Sequence, residues 1–580
     1  MKKKVSSGQK FVKRFKLFSK KAGEATIEHV EENIIDRLSH VRRVRLLILE
    51  WALLVIAIVF LSITQAYWYS DSYATETYRK GGTYTEGTLG EVKTLNPLFA
   101  STNSERTLSK LLFASLSTPD YSGHYGLALA KSIRTDASGK IWTVKLRDNL
   151  KWSDGEPLTN EDVIFTVNLI KNPLLNSNYS ANLNGVAVSE KEDDRALIFT
   201  LSSSNTYFES ALDFPILPKH ILEDVKPDLM LEHSFSSNPV TSGAYKYNST
   251  QAIGNIGEKS VYLRANPNYY KGAPKIDSFI VHAFVKSEDI IHALNNGTIT
   301  ASADVAPTDK SKVSSSNISE RQSSLNYGAF AFINVERIKS KDLRIALQQG
   351  INMDNVRSVL DGEQPLSFPL TEGQIELDNY PTLPKLDTNT AKKTIKGILD
   401  KDGELKKNGL KLVTVNSGNL PAVTEKLAEE IRSLGLEAEV TVFELGQGFV
   451  FNTLTQRNYD ILVYEIGLGA DPDLFAYYHS TEANANGHNL SNYKNAIVSD
   501  LVLSARATMD IELRKRKYEK FLEYFVNDVP ALGIYQTNMT YFVNKNVRSF
   551  SQDNNFVTAT DRLLDVERWG VEKIAKNRTP

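Results

Sequence analysis

The sequence predicts an α/β protein that follows one N-terminal transmembrane helix. Residues 412–415 and 438–442 have the composition of strands, and 422–434 between them has the periodicity of an amphipathic helix. Such alternation of strand and helix is typical of α/β layers. An apolar run of 18 residues, interrupted only by one Glu and one Ser, begins at Leu46 and ends at Ile63. The run therefore supplies a membrane helix ahead of the α/β body.

The composition is that of an ordinary globular protein. The chain has 580 residues, of which 41% are hydrophobic and 24% are charged, and its formal net charge is -1. These values exclude collagen-like and mainly disordered chains, and they give no support to nucleic-acid binding. The sequence contains no Cys, which excludes disulfides, thiolate metal sites, a Cys nucleophile and a lipidated N-terminal Cys.

Charge is unevenly distributed around the apolar run. Residues 1–45 contain 13 Lys and Arg against 5 Asp and Glu. As a helix at ~1.5 Å per residue the run would span about 27 Å, close to the ~30 Å hydrocarbon core of a bilayer. Because positive flanks stay cytoplasmic, we expect a cytoplasmic segment at 1–45, a single-pass signal anchor at 46–69, a spacer at 70–80 and an extracytoplasmic body. A buried soluble helix and a cleaved signal peptide are the alternatives.

The basic N-terminal segment has two interpretations. Apolar residues recur along it at helical spacing, which favours a helix that lies on anionic lipid or pairs with a partner. A solvated basic tail is the other interpretation.

Local patterns in the outer body predict individual elements. Residues 81–87 alternate between glycines as a strand does, and 141–146 form a further strand. Asp154 and Gly155 indicate a turn. Residues 159–169 then predict a capped helix, because a Thr precedes acidic residues and an apolar run.

Motifs of common enzymes are missing from the sequence. Neither H-E-x-x-H nor G-x-S-x-G occurs. Residues 254–260 are similar to a phosphate-binding loop, but the glycine spacing is wrong and a hairpin loop is favoured. Four possible metal ligands lie in one stretch without the compact spacing of a metal site: Asp471, Asp473, His479 and His488. We therefore expect no enzyme activity, no cofactor and no metal.

Five segments, in order from residue 146 to residue 489, resemble the motifs of one family. The first is 146–163, and 238–245 and 263–272 are the second and third. The fourth is Asn334 followed by 342–347. The fifth is the series Tyr459-Asp460, Asp471-Pro472-Asp473, His479-Ser480 and Asn489. Together they are similar to motifs of the extracytoplasmic solute-binding proteins of the oligopeptide/dipeptide ABC transporter family, family 5.

The resemblance implies a two-lobe, periplasmic-binding-protein-like type II fold. Lobe I would comprise 81–330, with an extra subdomain inserted at about 113–235. Lobe II would comprise 331–530, and 531–580 would return to lobe I and form the C-terminal tail. Such lobes close on a ligand while a few hinge residues absorb the dihedral change. Here the two crossings would lie near 327–334 and 530–538.

The resemblance also implies where the ligand binds. The cleft of the family is lined by the segment after the first strand and by the stretch before the Asp-Pro pair. In this chain those segments contain the candidate ligand-binding residues Phe99, Ser101, Asn103, Tyr464, Glu465, Leu468 and Asp471.

One of these positions departs from the pattern of the family. Peptide-specific relatives have a carboxylate three residues before the Asp-Pro pair, where it pairs with the amino terminus of the peptide. Leu468 occupies that position here. Because an unpaired buried charge is very unfavourable, either Glu465 or Asp471 takes over the role or the ligand has no free amine.

The sequence therefore predicts a membrane-anchored, extracytoplasmic solute-binding subunit of an ABC importer. Its ligand would be a peptide or another small solute, and its partners would be a permease and the attached ATPase subunits. A ligand-sensing receptor that works with a signalling protein is one alternative, and an extracytoplasmic hydrolase is another.

Overall fold

The computed structural model describes residues 36–191, 195–371, 373–444, 446–550, 554–571 and 573–577. Most of the basic N-terminal segment, 1–35, lies outside the described residues. The chain divides into two compact units, one formed by Met1–Thr77 with Ile574–Pro580 and the other by Tyr78–Lys573.

The helices are numbered here in chain order. They are α1 (Asp36–Tyr73), α2 (Asn103–Leu112), α3 (Asn160–Ile170), α4 (Lys219–Leu222), α5 (Ser287–Asn296), α6 (Lys341–Gly350), α7 (Met353–Arg357), α8 (Thr388–Leu399), α9 (Gly403–Asn408), α10 (Leu420–Ser433), α11 (Gln447–Phe449), α12 (Phe475–Tyr478), α13 (Ala496–Ala507) and α14 (Ile511–Asp528).

The strands are β1 (Ala74–Tyr78), β2 (Thr83–Leu89), β3 (Ser117–Pro119), β4 (Tyr125–Leu127), β5 (Ala130–Thr135), β6 (Ile141–Leu146), β7 (Val186–Lys191), β8 (Ala196–Leu201), β9 (Tyr245–Ala252), β10 (Lys259–Ala265), β11 (Ser278–Phe284), β12 (Ala301–Ser302), β13 (Ile318–Ile333), β14 (Gln364–Pro365), β15 (Leu410–Val415), β16 (Ala438–Phe443), β17 (Ile461–Gly467), β18 (Ala531–Asn544), β19 (Asn555–Phe556) and β20 (Lys573–Asn577).

The smaller unit contains the apolar run. Helix α1 is 38 residues long and includes 46–63, and β1 pairs with β20 in a sheet of two strands. The region expected to be a spacer, 70–80, therefore contains the end of α1 and strand β1. Among the described residues, no helix has both the length and the apolar character needed to cross a bilayer. The prediction of a transmembrane helix at 46–63 is thus not supported.

The larger unit is built on one mixed sheet of 12 strands. Its order is β16-β15-β17-β13-β18-β12-β2-β11-β10-β9, with β14 added on β18 and β19 on β13. The long antiparallel pair β13 and β18 runs through the middle of this order, and its register shifts between Ser324 and Gly328. The α/β prediction is confirmed.

Two large hydrophobic cores and a third, smaller one occupy the described part of the larger unit, and we name the surroundings of the two large cores lobe I and lobe II. Strand β18 contributes Tyr541 to the core of lobe I and Ile534 to the core of lobe II. Strand β13 likewise contributes Leu325 to the first core and Phe330 to the second. The chain therefore passes between the two large cores inside the paired strands β13 and β18.

Lobe I carries a small additional sheet, whose strand order is β5-β6-β8-β7. The predicted strand, turn and helix of the first family motif are confirmed as β6, a turn with Gly155 at φ 103° and α3. The side chain of Thr159 and that of Asp162 form a capping box at the start of α3, which satisfies otherwise unpaired N–H groups. Trp152 is fully buried below the turn.

Lobe II contains the predicted strand, helix and strand of 412–442. Strands β15 and β16 are parallel, and α10 connects them. One face of α10, which includes Val423, Leu427 and Ile431, is buried in the core of lobe II. The periodicity of this helix therefore predicts its buried face correctly.

Candidate functional site

Strand β17 carries two of the predicted ligand residues on opposite faces of the sheet. In its pairing with β13, Tyr464 lies opposite Phe330 and Glu465 lies opposite Ala329. Successive side chains of a strand point to opposite faces. The ring of Tyr464 packs against Phe449 with the centroids 5.6 Å apart, whereas Glu465 extends toward β18.

Glu465 is a partly exposed carboxylate held by two hydroxyl groups. Thr537 Oγ1 donates to Glu465 Oε1 at 2.5 Å, and the hydroxyl of Tyr535 donates to the same oxygen at 3.2 Å. Burial raises the pKa of Glu465, and the two hydroxyl donors offset part of that effect. Within the described residues, no ion pair forms at this carboxylate. Its charge is thus stabilised by neutral donors only.

The loop that follows β17 is held from beneath by the amide of Gln374. This amide donates to the carbonyl oxygens of Leu468, Gly469 and Asp471 at 2.9, 3.1 and 3.2 Å. The N–H of Leu468 donates to the carbonyl of Asn326 at 2.7 Å. The Leu468 side chain is buried in the core of lobe II. Leu468 thus shapes the loop through its main chain, and its side chain is a core residue.

Asp471 ends this loop with a carboxylate in an unfavourable environment. Burial, together with the neighbouring carboxylate of Asp473, raises the pKa of Asp471 from 3.8 to about 7. The guanidinium of Arg514 acts in the opposite direction, without forming an ion pair in the part of the chain that the structure describes. Asp471 is therefore available to a cationic partner.

The three candidate residues of lobe I lie around the start of α2. Phe99 ends a short 3-10 turn and packs against the core of lobe I. Ser101 donates through its N–H and its hydroxyl to Glu105 at 2.8 and 3.0 Å. Asn103 Nδ2 donates to Asp304 Oδ1 at 2.9 Å. These polar groups are thus engaged within lobe I, although Ser101 and Asn103 are exposed.

Tyr125 of β4 is a partly buried tyrosine that no sequence motif indicates. Burial raises the pKa of Tyr125 most, and the negative charges of nearby carboxylates, including that of Asp471, raise it further. Tyr327 of β13 contributes to the same environment. The electrostatic environment of Tyr125 therefore includes carboxylates of both lobes. No local pattern marks it, because a single aromatic residue in a short hairpin is ordinary.

Two of the four possible metal ligands in the sequence, His479 and Asp473, have other contacts. His479 Nδ1 lies 2.7 Å from Thr481 Oγ1, and the ring stacks on Phe475. Asp473 forms an ion pair with Arg506 at 2.6 Å. Among the described residues, no group of three or more His, Asp or Glu is arranged to hold a metal ion.

The arrangement of two cores, a shared central sheet and polar loops at their junction is matched by known proteins. The family described as bacterial extracellular solute-binding proteins, family 5, matches residues 124–488. This chain belongs to that family. The resemblance inferred from the five motifs is thereby confirmed, and this family 5 protein binds a solute rather than acting as an enzyme.

Individual relatives extend the match to most of the chain. The oligopeptide-binding protein AppA of Bacillus subtilis is 26% identical over 554 residues, which cover 90% of this chain and 98% of that protein. The structure of AppA with a nonapeptide has a TM-score of 0.68 and 24% identity, and it covers 85% of this chain and 100% of that one.

Two further solved structures have similar folds. The ABC transporter substrate-binding protein CtaP of Listeria monocytogenes has a TM-score of 0.73 and 27% identity, and it covers 85% of this chain and 100% of that one. NikZ of Campylobacter jejuni, in complex with Ni(L-His), has a TM-score of 0.69 and 22% identity, and it covers 84% of this chain and 99% of that one. Their common fold thus accommodates ligands of different chemistry.

Proposed function

We propose that this family 5 protein binds peptides between its two lobes and delivers them to an ABC importer. A relative named as an oligopeptide-binding protein, whose solved structure contains a nonapeptide, supports the class of ligand. A relative named as an ABC transporter substrate-binding protein supports the class of partner. That partner would be a membrane permease with its ATPase subunits.

The observation that supports this proposal is the presence of two carboxylates, Glu465 and Asp471, that form no ion pair among the described residues. Among the described residues, Glu465 is held by two hydroxyl groups, and Asp471 has a pKa raised to about 7. A ligand ammonium would pair with either carboxylate and relieve the cost of its burial. The amino terminus of a peptide is such a group, and it would replace the pairing that Leu468 cannot make.

We propose further that the apolar run of α1 attaches the protein to the membrane, with the larger unit on the extracytoplasmic side. Large apolar side chains along it are more than half exposed, among them Leu46, Trp51 and Phe60. Exposed apolar surface of this extent is unfavourable in water. Fractionation of cells, with and without deletion of 46–63, tests this part. Loss of the protein from the membrane fraction upon deletion is expected, and an unchanged distribution would refute it.

Ligand binding is tested with the full chain and a library of free peptides. Native mass spectrometry selects bound peptides, and calorimetry then measures their affinity for the ligand-free protein. Each of Glu465→Gln and Asp471→Asn is expected to make the binding free energy of a peptide with a free amino terminus less favourable by ~2–5 kcal/mol, if the carboxylate that it removes pairs with that terminus. Glu425→Gln is the matched control, because Glu425 is an exposed carboxylate of lobe II that pairs with Arg432.

The N-acetylated form of each peptide completes the experiment. It should bind more weakly than the free peptide and should respond little to either substitution, because it has no ammonium. Full affinity in both variants would refute the assignment of the carboxylates. If no peptide binds while a small non-peptide solute does, the proposed ligand class is wrong. A non-peptide solute is the second candidate, and it is favoured by the buried side chain of Leu468 at the usual carboxylate position.

A further inference from the structure

A contact between the lobes lies where a loop of lobe I meets the end of helix α13. The N–H and the hydroxyl of Thr206 both donate to the carbonyl oxygen of Arg506, at 2.9 and 2.8 Å. Arg514 Nη2 in turn donates to Thr206 Oγ1 at 3.1 Å. The Thr206 hydroxyl thus donates to one group of lobe II and accepts from another.

The geometry explains why this contact matters to lobe II. Arg506 is the second-last residue of α13, and the last carbonyls of a helix have no partner within the helix. Thr206 of the other lobe satisfies one of them. When the lobes separate, only water can replace this partner.

A second pair of side chains extends the contact. The hydroxyl groups of Tyr207 in lobe I and Tyr518 in lobe II are 3.1 Å apart, and both side chains are buried. The guanidinium carbon of Arg514 lies 4.8 Å from the centre of the Tyr207 ring, within the range of a cation–π interaction. Two hydroxyl groups and a cation would therefore have to be hydrated again on opening.

The same contact is connected to the loop that carries Asp471. Arg506 donates through Nε and Nη2 to Asp473 Oδ2 at 2.8 and 2.6 Å. Its guanidinium also lies 4.5 Å from the centre of the Phe475 ring. Asp473 is separated from Asp471 by Pro472 alone. Arg506 therefore binds lobe I through its carbonyl oxygen and the loop of Asp471 through its guanidinium.

We propose that Thr206 and Tyr207 are positioning residues, which hold the lobes closed without ligand and keep the loop at 471–473 in place through Arg506. The consequence for affinity rests on the proposed function, that a ligand binds between the lobes. A ligand that binds the closed form gains apparent affinity in proportion to the population of that form. Loss of the contact would therefore weaken binding and speed release.

The test first measures closure without any ligand. Because the chain has no Cys, Glu223→Cys in lobe I and Glu425→Cys in lobe II allow two spin labels to be attached at exposed sites. The distance between the labels is measured by pulsed electron resonance on the ligand-free protein. Thr206→Val combined with Tyr207→Phe is expected to shift the distribution toward longer distances.

Matched controls use the same chemical changes away from the contact. Thr200→Val alters an exposed Thr on β8, and Tyr524→Phe alters a partly exposed Tyr on α14. Both should leave the distribution unchanged, and circular dichroism with thermal unfolding should show that every variant is folded. The proposal is overturned if the wild-type protein already shows the longer label distances, or if the double substitution does not change the distances.

A second measurement concerns ligand release, and it uses a peptide selected by the library experiment. The double variant lacks three hydrogen bonds, and each bond changes an equilibrium constant by a factor of about 2 to 10. We therefore expect the peptide to dissociate at least about 10-fold faster from the double variant. Tyr518→Phe should have no additional effect when Tyr207 is already Phe. If no peptide binds, the peptide proposal fails, whereas the distance measurement still decides whether the contact closes the lobes.

Discussion

Asp471→Asn should stabilise the ligand-free protein, and the gain should depend on pH. The raised pKa of Asp471 means that the folded state resists ionisation of this carboxyl group. The contribution of this carboxyl group to stability is therefore greatest below its pKa in the unfolded chain, near 3.8, and is lost as the pH rises toward about 7. A difference of about 3 pKa units corresponds to a cost of ~4 kcal/mol above neutral pH. This value is an upper limit, because the side chain is partly exposed and water screens it.

Urea unfolding of wild type and Asp471→Asn, monitored by fluorescence across about pH 4 to pH 8, measures the difference. The two proteins should unfold at the same urea concentration near pH 4. The variant should then become more stable, up to a constant difference above about pH 7. Glu425→Gln, which changes an exposed carboxylate, should show no such trend. A difference that is independent of pH, or a variant that is less stable at pH 8, would refute the reasoning.

Three other substitutions test the fold and the loop. Arg562→Met leaves the buried carboxylate of Glu86 without its ion pair at 2.5 Å. Thermal unfolding should therefore show that the free energy of unfolding falls by ~3–5 kcal/mol. Adding Glu86→Gln to the same chain should restore much of this loss, because it removes the unpaired charge. Gly243→Ala places a Cβ against main-chain atoms of Leu111, and the yield of folded protein should fall sharply, unlike that of Gly397→Ala. Gln374→Ala removes three donated hydrogen bonds, and amide exchange at 468–471 should become about tenfold faster.

Local elements of this protein can be read directly from the sequence. The turn at Gly155 and the capped start of α3 follow from residues within a few positions of one another. The buried face of α10 follows from periodicity within 14 residues. The order of short motifs also identifies the family. These features share one physical cause, since backbone conformation and helix caps depend on neighbouring residues.

The tertiary structure decides which distant groups meet. Nothing near Glu86 in the sequence indicates Arg562, and nothing near Thr206 indicates Arg506, because each pair is separated by hundreds of residues. The support of the loop at 468–471 by Gln374 has no local pattern either. The exposure of a carboxylate, and hence its pKa, also depends on the whole chain that surrounds it. The sequence thus determines the elements and the family, whereas the packing of the two lobes determines the charge and the contacts of the site.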